Sequence, residues 1–393
     1  MSTSRLIEDS DTITSAHEKC LDPFANHPPL NIQLDGSGAV ADLERRLRMH
    51  FEMKHALCVS NATTGLCAIA LAIGLHQSEF VTTPYTYGAS LSGWLLLGNR
   101  PRFADIDPHT LTLDPSCARG AVTAKTKALL AVDIYGNLSD SAGLRQIADE
   151  CRIWYIADAA QSLGAVRAGL PASALADALV VSFTFGKTVV AGEGGAILTN
   201  NSDLYEKLVW FTQHPYRQKR ELGLSLTNEF GLNARIHPWG AQCALTRFDY
   251  CLSKLNKQQE RCFRMIQALN KSGLVEPIQF IEQKMSPSFF RLTAAWKKAP
   301  SERALREQLM TKDSEIDLGP APVKIIYQQP AFIAQFSRTL RKAPECPQAE
   351  RQGMVRFSIL PCRRRVSLCL PQLTALGSSQ LRKSTSGLGK RLA

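Results

Sequence analysis

Ala178-Leu179-Val180-Val181-Ser182-Phe183-Thr184-Phe185-Gly186-Lys187-Thr188-Val189-Val190-Ala191-Gly192-Glu193-Gly194-Gly195-Ala196 runs from an apolar segment through a single lysine into a glycine-rich turn. The run Ala178–Phe183 is continuous rather than alternating, as expected of a strand covered on both faces. Lys187 is out of place for a solubilising side chain, because apolar sequence precedes it and Gly192-Glu193-Gly194-Gly195 follows. Lysine is the residue whose amine forms Schiff bases once its surroundings lower its pKa.

Working outward, similar apolar runs recur at Ala56–Val59, Phe80–Thr83, Arg102–Ala104, Ala128–Ile134, Ile153–Ala157 and Ala196–Thr199. Helix-length segments lie between them at Gly65–Gly74, Gly88–Leu97 and Ala142–Cys151. Alternation of this kind predicts an α/β fold with a mainly parallel, doubly wound sheet. After about residue 245 the pattern gives way to charged helical segments, Leu252–Lys271 and Ser301–Lys312, amid proline-rich sequence. The reading is an N-terminal arm (1–35), a large domain (36–250), a smaller C-terminal domain (251–360) and an atypical tail (361–393).

In open α/β sheets ligands bind beyond the C-terminal ends of the strands, so the residues just after each run carry the argument. Ser60-Asn61-Ala62-Thr63-Thr64-Gly65 enters a helix with small hydroxyl residues, which suits a phosphate and equally suits an ordinary cap. Pro84-Tyr85-Thr86-Tyr87-Gly88 offers an aromatic that stacks on a flat ligand or fills a core. Asp158-Ala159-Ala160-Gln161 ends a strand in an acid, costly unless the acid caps, pairs or meets a cation. A phosphate cradle, a stacking ring, a carboxylate for a ring nitrogen and a Schiff-base lysine together are what a pyridoxal 5′-phosphate (PLP) site requires.

These segments resemble the fold type I PLP-dependent sugar aminotransferases of the DegT/StrS group, from about Gly36 to about Leu255. The resemblance rests on Cys58-Val59-Ser60-Asn61-Ala62-Thr63-Thr64-Gly65-Leu66, Pro84-Tyr85-Thr86-Tyr87, Asp105-Ile106-Asp107-Pro108 and Asp158-Ala159-Ala160-Gln161-Ser162-Leu163-Gly164-Ala165. Ser182–Lys187, Gly192–Ala196 and Gly231-Leu232-Asn233-Ala234-Arg235 complete it. It implies that Thr63, Thr64 and Ser182 bind the phosphate and that Tyr87 stacks on the cofactor. Asp158 would meet the pyridine nitrogen, Gln161 would donate near the phenolic oxygen, and Lys187 would carry the Schiff base. Asn233 matches a residue that the family supplies from a neighbouring subunit, which implies a homodimer. Related dehydratases carry histidine where Lys187 stands, so the resemblance implies transamination. The implied substrates are an amino donor, glutamate or glutamine, and a keto-sugar or keto-cyclitol. The chain departs from the family in having Ala62 where glycine is usual, and in the sequence after Leu360-Pro361.

His214, Arg217, Lys219 and Arg220 form a basic run between the glycine turn and Asn233, read either as substrate contacts or as a solvated loop. The net charge of +11 is concentrated in residues 351–393, which hold seven Arg and two Lys and no acid. A basic tail without a binding fold is read as solvated, which argues against nucleic acid as partner. The eleven scattered cysteines include no Cys-x-x-Cys and no metal-ligand spacing, so no metal is expected. With an N-terminus acidic where a leader would be apolar, they point to a reducing cytoplasm and no membrane segment.

Overall fold

A computed structural model describes residues 34–227, 230–280, 284–297, 316–320, 323–340 and 344–361. The fold is built on a seven-stranded sheet in the order β1-β9-β8-β5-β4-β2-β3. Its strands are β1 (His55–Val59), β2 (Glu79–Thr82), β3 (Arg100–Phe103), β4 (Thr126–Val132), β5 (Trp154–Asp158), β8 (Ala178–Ser182) and β9 (Gly195–Thr199). Only β9 runs antiparallel to its neighbours, β1 and β8. The other six therefore end at one rim, as the apolar runs predict.

Both faces of the sheet are covered. One layer holds α1 (Ala39–Phe51) and α5 (Ser141–Cys151) with the core around Leu43, Leu47, Ile147 and Val181; the other holds α2 (Ala62–Ala72), α3 (Ala89–Leu96) and α6 (Ser202–Thr212) around Leu66, Ile69, Trp94 and Val180. Side chains of β8 alternate between the two cores, Leu179 and Val181 into one and Val180 into the other. That two-sided burial explains why the strand sequence is unbroken by polar residues.

The division expected at residue 250 falls inside a continuous helix, α8, which spans Pro238–Ser272. His237 caps its start by accepting the Trp239 N–H, Pro238 occupies the first turn, and Gly273 ends it in left-handed backbone at φ 67. Nothing between Pro238 and Gly273 breaks a helix, so the change in charge composition near residue 245 marks a change of surroundings, not of secondary structure. The helix Ser301–Lys312 and the tail beyond Pro361 lie outside the described residues, as does the arm before Leu34.

Beyond α8, β11 (Leu292–Ala295), β12 (Ile316–Pro320) and β13 (Arg356–Pro361) form an antiparallel sheet in the order β11-β13-β12. The helix α10 (Pro347–Val355) precedes β13, and its first N–H groups at Gln348 and Ala349 donate to Asp105, which follows β3, at 2.8 Å each. The strand pair β6 (Val166–Arg167) and β7 (Leu170–Pro171) joins β10 (Met285–Ser286) in a second three-stranded sheet. A loop at Ser288–Arg291 is thereby carried over the rim. Its Ser288 Oγ donates to Gln161 O at 2.6 Å, and its Arg291 N–H donates to Tyr135 O at 3.2 Å. Gly136 permits this approach: with φ 89 it takes a conformation poor for other residues, and a Cβ there would lie 2.1 Å from Ser288 Oγ.

Candidate active site

The rim of the sheet gathers the chemistry-bearing residues. Asp158 ends β5 and is 6% exposed. Ser90 Oγ donates to its Oδ2 at 2.6 Å, and the Ala160 N–H donates to Oδ1 at 3.0 Å. Thr86 Oγ1 in turn donates to Ser90 Oγ at 3.0 Å. The carboxylate is thus fixed in direction by the start of α3 while still carrying free lone pairs, each carboxylate oxygen having room for more than one donor.

Lys187 lies where the chain leaves β8, its N–H donating to Thr184 O at 3.1 Å. Burial pushes its amine below the ordinary lysine value; Asp158 opposes that shift and the Arg291 guanidinium adds to it. The Lys187 Nζ stands 4.5 Å from the centroid of the Phe290 ring. A partly buried amine of lowered basicity on the same rim as an anchored carboxylate is the arrangement a carbonyl-reactive lysine needs.

The phosphate-suited residues sit at the start of α2. Asn61 caps this helix, its Oδ1 accepting from the Thr64 N–H at 2.8 Å and from Thr64 Oγ1 at 3.0 Å. The other N–H groups of the first turn have no intrahelical acceptor, and their dipole end favours an anion. Gly195 of β9 lets the strand approach this turn closely: a Cβ there would lie 2.8 Å from Ala62 N and 2.9 Å from the Asn61 carbonyl carbon. Ser182, 5% exposed at the end of β8, directs its Oγ to Thr184 Oγ1 at 3.0 Å. Tyr87, just before α3, is 66% exposed, an aromatic face left open on the same rim.

Gln161 follows Asp158 by one turn, and its Oε1 accepts the Tyr135 N–H at 2.7 Å. With the carbonyl end engaged, the amide NH₂ is the end left to donate. Asp133 holds this segment: fully buried, it accepts from Ser139 N at 2.9 Å, Ser162 Oγ at 2.9 Å and Ser173 Oγ at 2.8 Å. Asn233 is exposed with φ 47, and its side chain makes no hydrogen bond among the described residues. It lines a cavity of about 420 Å³ with Arg235, His237, Gln213 and Cys58.

The basic run is not assembled into this site. Arg217 is 1% exposed and its guanidinium is committed to Glu44, at 3.0 and 2.8 Å, and to Glu221, at 2.9 Å. It is structural and unavailable to a substrate, since charge this deeply buried must be paired. His214 caps α7 (Pro215–Leu222) by accepting the Tyr216 N–H at 3.2 Å, and Arg220 pairs with Asp35 and Glu221. Lys219 is exposed. Among the described residues none of the four contacts Lys187, Asp158 or Gln161.

Sequence reasoning missed Ser90, Asp133, Phe290 and Arg291. Ser90 had a weak signal, being a small hydroxyl residue in the first turn of the helix that follows Pro84–Gly88. Phe290 and Arg291 had none, because only tertiary docking brings Ser288–Arg291 over the rim.

A PLP-sized group fits these residues: a directed carboxylate, an amine of lowered pKa, an open aromatic face, and a helix start whose neighbouring strand carries glycine at the point of closest approach. Comparison with known proteins points the same way. Residues 32–368 match the model of the DegT/DnrJ/EryC1/StrS aminotransferase family. Over 245 residues, 62% of this chain and 66% of the relative, the sequence is 31% identical to UDP-2-acetamido-2-deoxy-3-oxo-D-glucuronate aminotransferase of Pseudomonas aeruginosa. It is 33% identical over 173 residues, 43% of this chain and 41% of the relative, to L-glutamine:2-deoxy-scyllo-inosose aminotransferase of Streptomyces lividus. The matches thus span between about two-fifths and two-thirds of these relatives' lengths. The fold is similar to that of a DegT DnrJ EryC1 StrS aminotransferase from Brucella abortus, with a TM-score of 0.72 and 20% identity over 92% of this chain and 94% of that one.

Proposed function

The chain belongs to the DegT/DnrJ/EryC1/StrS aminotransferase family, and we propose that it is a PLP-dependent aminotransferase that aminates a keto-sugar or keto-cyclitol, nucleotide-activated sugars included. Glutamate or glutamine is the amino donor. The observation that carries this reading is Lys187, a partly buried amine just beyond the end of β8 on the rim where β5 ends in the anchored Asp158 carboxylate.

When bound, PLP supplies an electron sink for the carbanion formed at the donor's α-carbon. The chain's own residues do the rest. Asp158, held by Ser90 and the Ala160 N–H, would face the pyridine nitrogen and keep it protonated. Thr63, Thr64 and Ser182 would hold the phosphate at the start of α2, Tyr87 would cover the ring, and Gln161 would donate to the phenolic oxygen. Lys187 acts as the general acid and base that takes the proton from the donor's α-carbon. The relatives from P. aeruginosa and S. lividus are named for a keto-sugar and a cyclitol acceptor, which supports the acceptor class. We further place the working enzyme in the cytoplasm as a homodimer, with the exposed Asn233 reaching the partner's phosphate.

The test is isotope transfer. Purified protein with PLP, α-¹⁵N-glutamate or α-¹⁵N-glutamine, and candidate ketones should yield a ¹⁵N-amine and an equimolar 2-oxo acid, whereas amide-¹⁵N-glutamine should leave the amine unlabelled. Product formed without the 2-oxo acid would replace transamination by a dehydrating or aromatising reaction on the same scaffold.

A further inference from the structure

A guanidinium without a counter-charge sits where β13 begins. Arg356 is partly buried; its Nε donates to Gln352 Oε1 at 2.8 Å and its Nη1 to Thr293 Oγ1 at 3.2 Å. Both acceptors are neutral. Among the described residues no carboxylate pairs with Arg356, whereas Arg217 has two. The charged groups that act on it, Glu276 and Arg351, are already joined to each other. Burial pushes the Arg356 guanidinium below the ordinary arginine value, yet it stays protonated at any working pH. The other polar groups gathered here are donors as well. Gln352 on α10 is fully buried, and with Oε1 taken by Arg356 its Nε2 has no hydrogen-bond partner. Nitrogen and oxygen of an amide share one carbon, so this orphaned NH₂ lies beside the guanidinium. The buried Tyr85 and Tyr135 hydroxyls, which also act on Arg356, lie 3.4 Å apart. One proton bridges them, and Tyr135 also receives the Val323 N–H, so the second hydroxyl proton is left over.

Donors in excess, one of them charged, are costly to bury unless an acceptor arrives, and a neutral water would leave the charge uncompensated. We propose that Arg356, Gln352, Tyr85 and Tyr135 form a binding site for a small monovalent anion, a halide or a formate-sized carboxylate. One negative charge balances the one guanidinium, and the free guanidinium N–H groups with the Gln352 amide supply charge-assisted hydrogen bonds. The occupant would tie β11, which carries Thr293 and directly follows the Ser288–Arg291 loop, to Tyr85 and Tyr135 beyond the ends of β2 and β4. None of the four residues is among those assigned to the cofactor, so the site stands independently of the aminotransferase reading.

The full chain, at constant PLP and with ionic strength held by a bulky sulfonate buffer anion, is titrated with sodium chloride and with sodium formate. Broadening of the chloride NMR line and the thermal midpoint are followed together. Wild type should show a broadening that formate displaces, and a midpoint that rises saturably with either anion, as mass action requires of a ligand that binds only the folded state. Arg356→Met should lose that part of the broadening, and its midpoint should respond to neither anion. Without added chloride or formate it should be at least as stable as wild type, because no uncompensated charge is then buried. Gln352→Met, which keeps the guanidinium, should bind either anion about 10-fold more weakly. A response to formate alone makes the ligand a carboxylate and supports the site. Broadening and midpoint shifts equal in wild type and both variants belong to other cations and overturn the proposal, as does a wild-type midpoint that neither anion raises. If Arg356→Met does not fold, Gln352→Met decides: an unchanged titration there overturns the proposal.

Discussion

Replacing Glu44 by alanine should be among the most damaging single changes away from the site, and the structure sets its size. Glu44, 6% exposed on α1, accepts two bonds from Arg217 and one from the Cys58 N–H at 2.7 Å. Its removal strands a guanidinium that is 1% exposed. Breaking a buried pair on one side costs about 3–5 kcal/mol, and an orphaned buried N–H costs about 1–3 kcal/mol. Glu221, Gln213 and Tyr205 still contact Arg217, at 2.9, 3.3 and 3.3 Å, so the lower part of that range applies. E44A should therefore lose about 4 kcal/mol, a large share of the ~5–15 kcal/mol that holds a domain folded. Arg217→Leu should lose a similar amount by leaving Glu44 unpaired. The double variant Glu44→Met with Arg217→Leu should recover most of it, to within about 1–2 kcal/mol of wild type, because apolar groups of like volume replace a buried pair at little net cost. Denaturant unfolding of the four proteins, with PLP saturating, measures this. Losses that simply add in the double variant would refute the reasoning. So would a donor KM raised in the double variant, since Arg217 would then be meeting substrate.

Gly195→Ala should strike the cofactor directly, because the new methyl would meet backbone, at Ala62 N and Val181 O, 2.8 Å away, that cannot swing aside. Overpacking of about 1–3 kcal/mol should appear as roughly 5- to 150-fold weaker PLP binding, read by equilibrium dialysis; wild-type affinity would mean the start of α2 is not the phosphate site. In cofactor-free protein, Lys187 should react with an acylating reagent at lower pH than other lysines, because burial lowers its pKa from 10.5. Asp158 raises that pKa, so Asp158→Asn should move the labelling midpoint to still lower pH, and a move upward would contradict the geometry. With cofactor present, D158N should keep its colour and lose at least about 100-fold in the donor half-reaction, a size typical of a lost proton-controlling group.

The sheet was legible because each strand is covered on both faces and so reads as an uninterrupted apolar run. The ends were less so: the expected strand Ala128–Ile134 stops at Val132, where Asp133 turns inward to bind three serines. Lys187, Asp158 and the Asn61–Thr64 helix start could be read because residues at strand ends in this fold converge on one rim. Arg217 was misread because a buried arginine and a substrate-facing one look alike until the partner, Glu44, 173 positions away, is placed beside it. Arg291 gave no sign for the converse reason, since its neighbour Lys187 lies far away in sequence and no local pattern encodes docking. The length of α8 was underestimated because its polar composition changes midway while its backbone does not.

Borohydride reduction of the PLP-loaded protein, followed by peptide mapping, identifies the lysine that carries the Schiff base. A single phosphopyridoxyl-modified peptide is expected, the one that carries Lys187, and no modified peptide from Lys187→Ala, which should also be colourless. Modification at another lysine, or a yellow Lys187→Ala protein that still turns over donor, would contradict the Lys187 assignment.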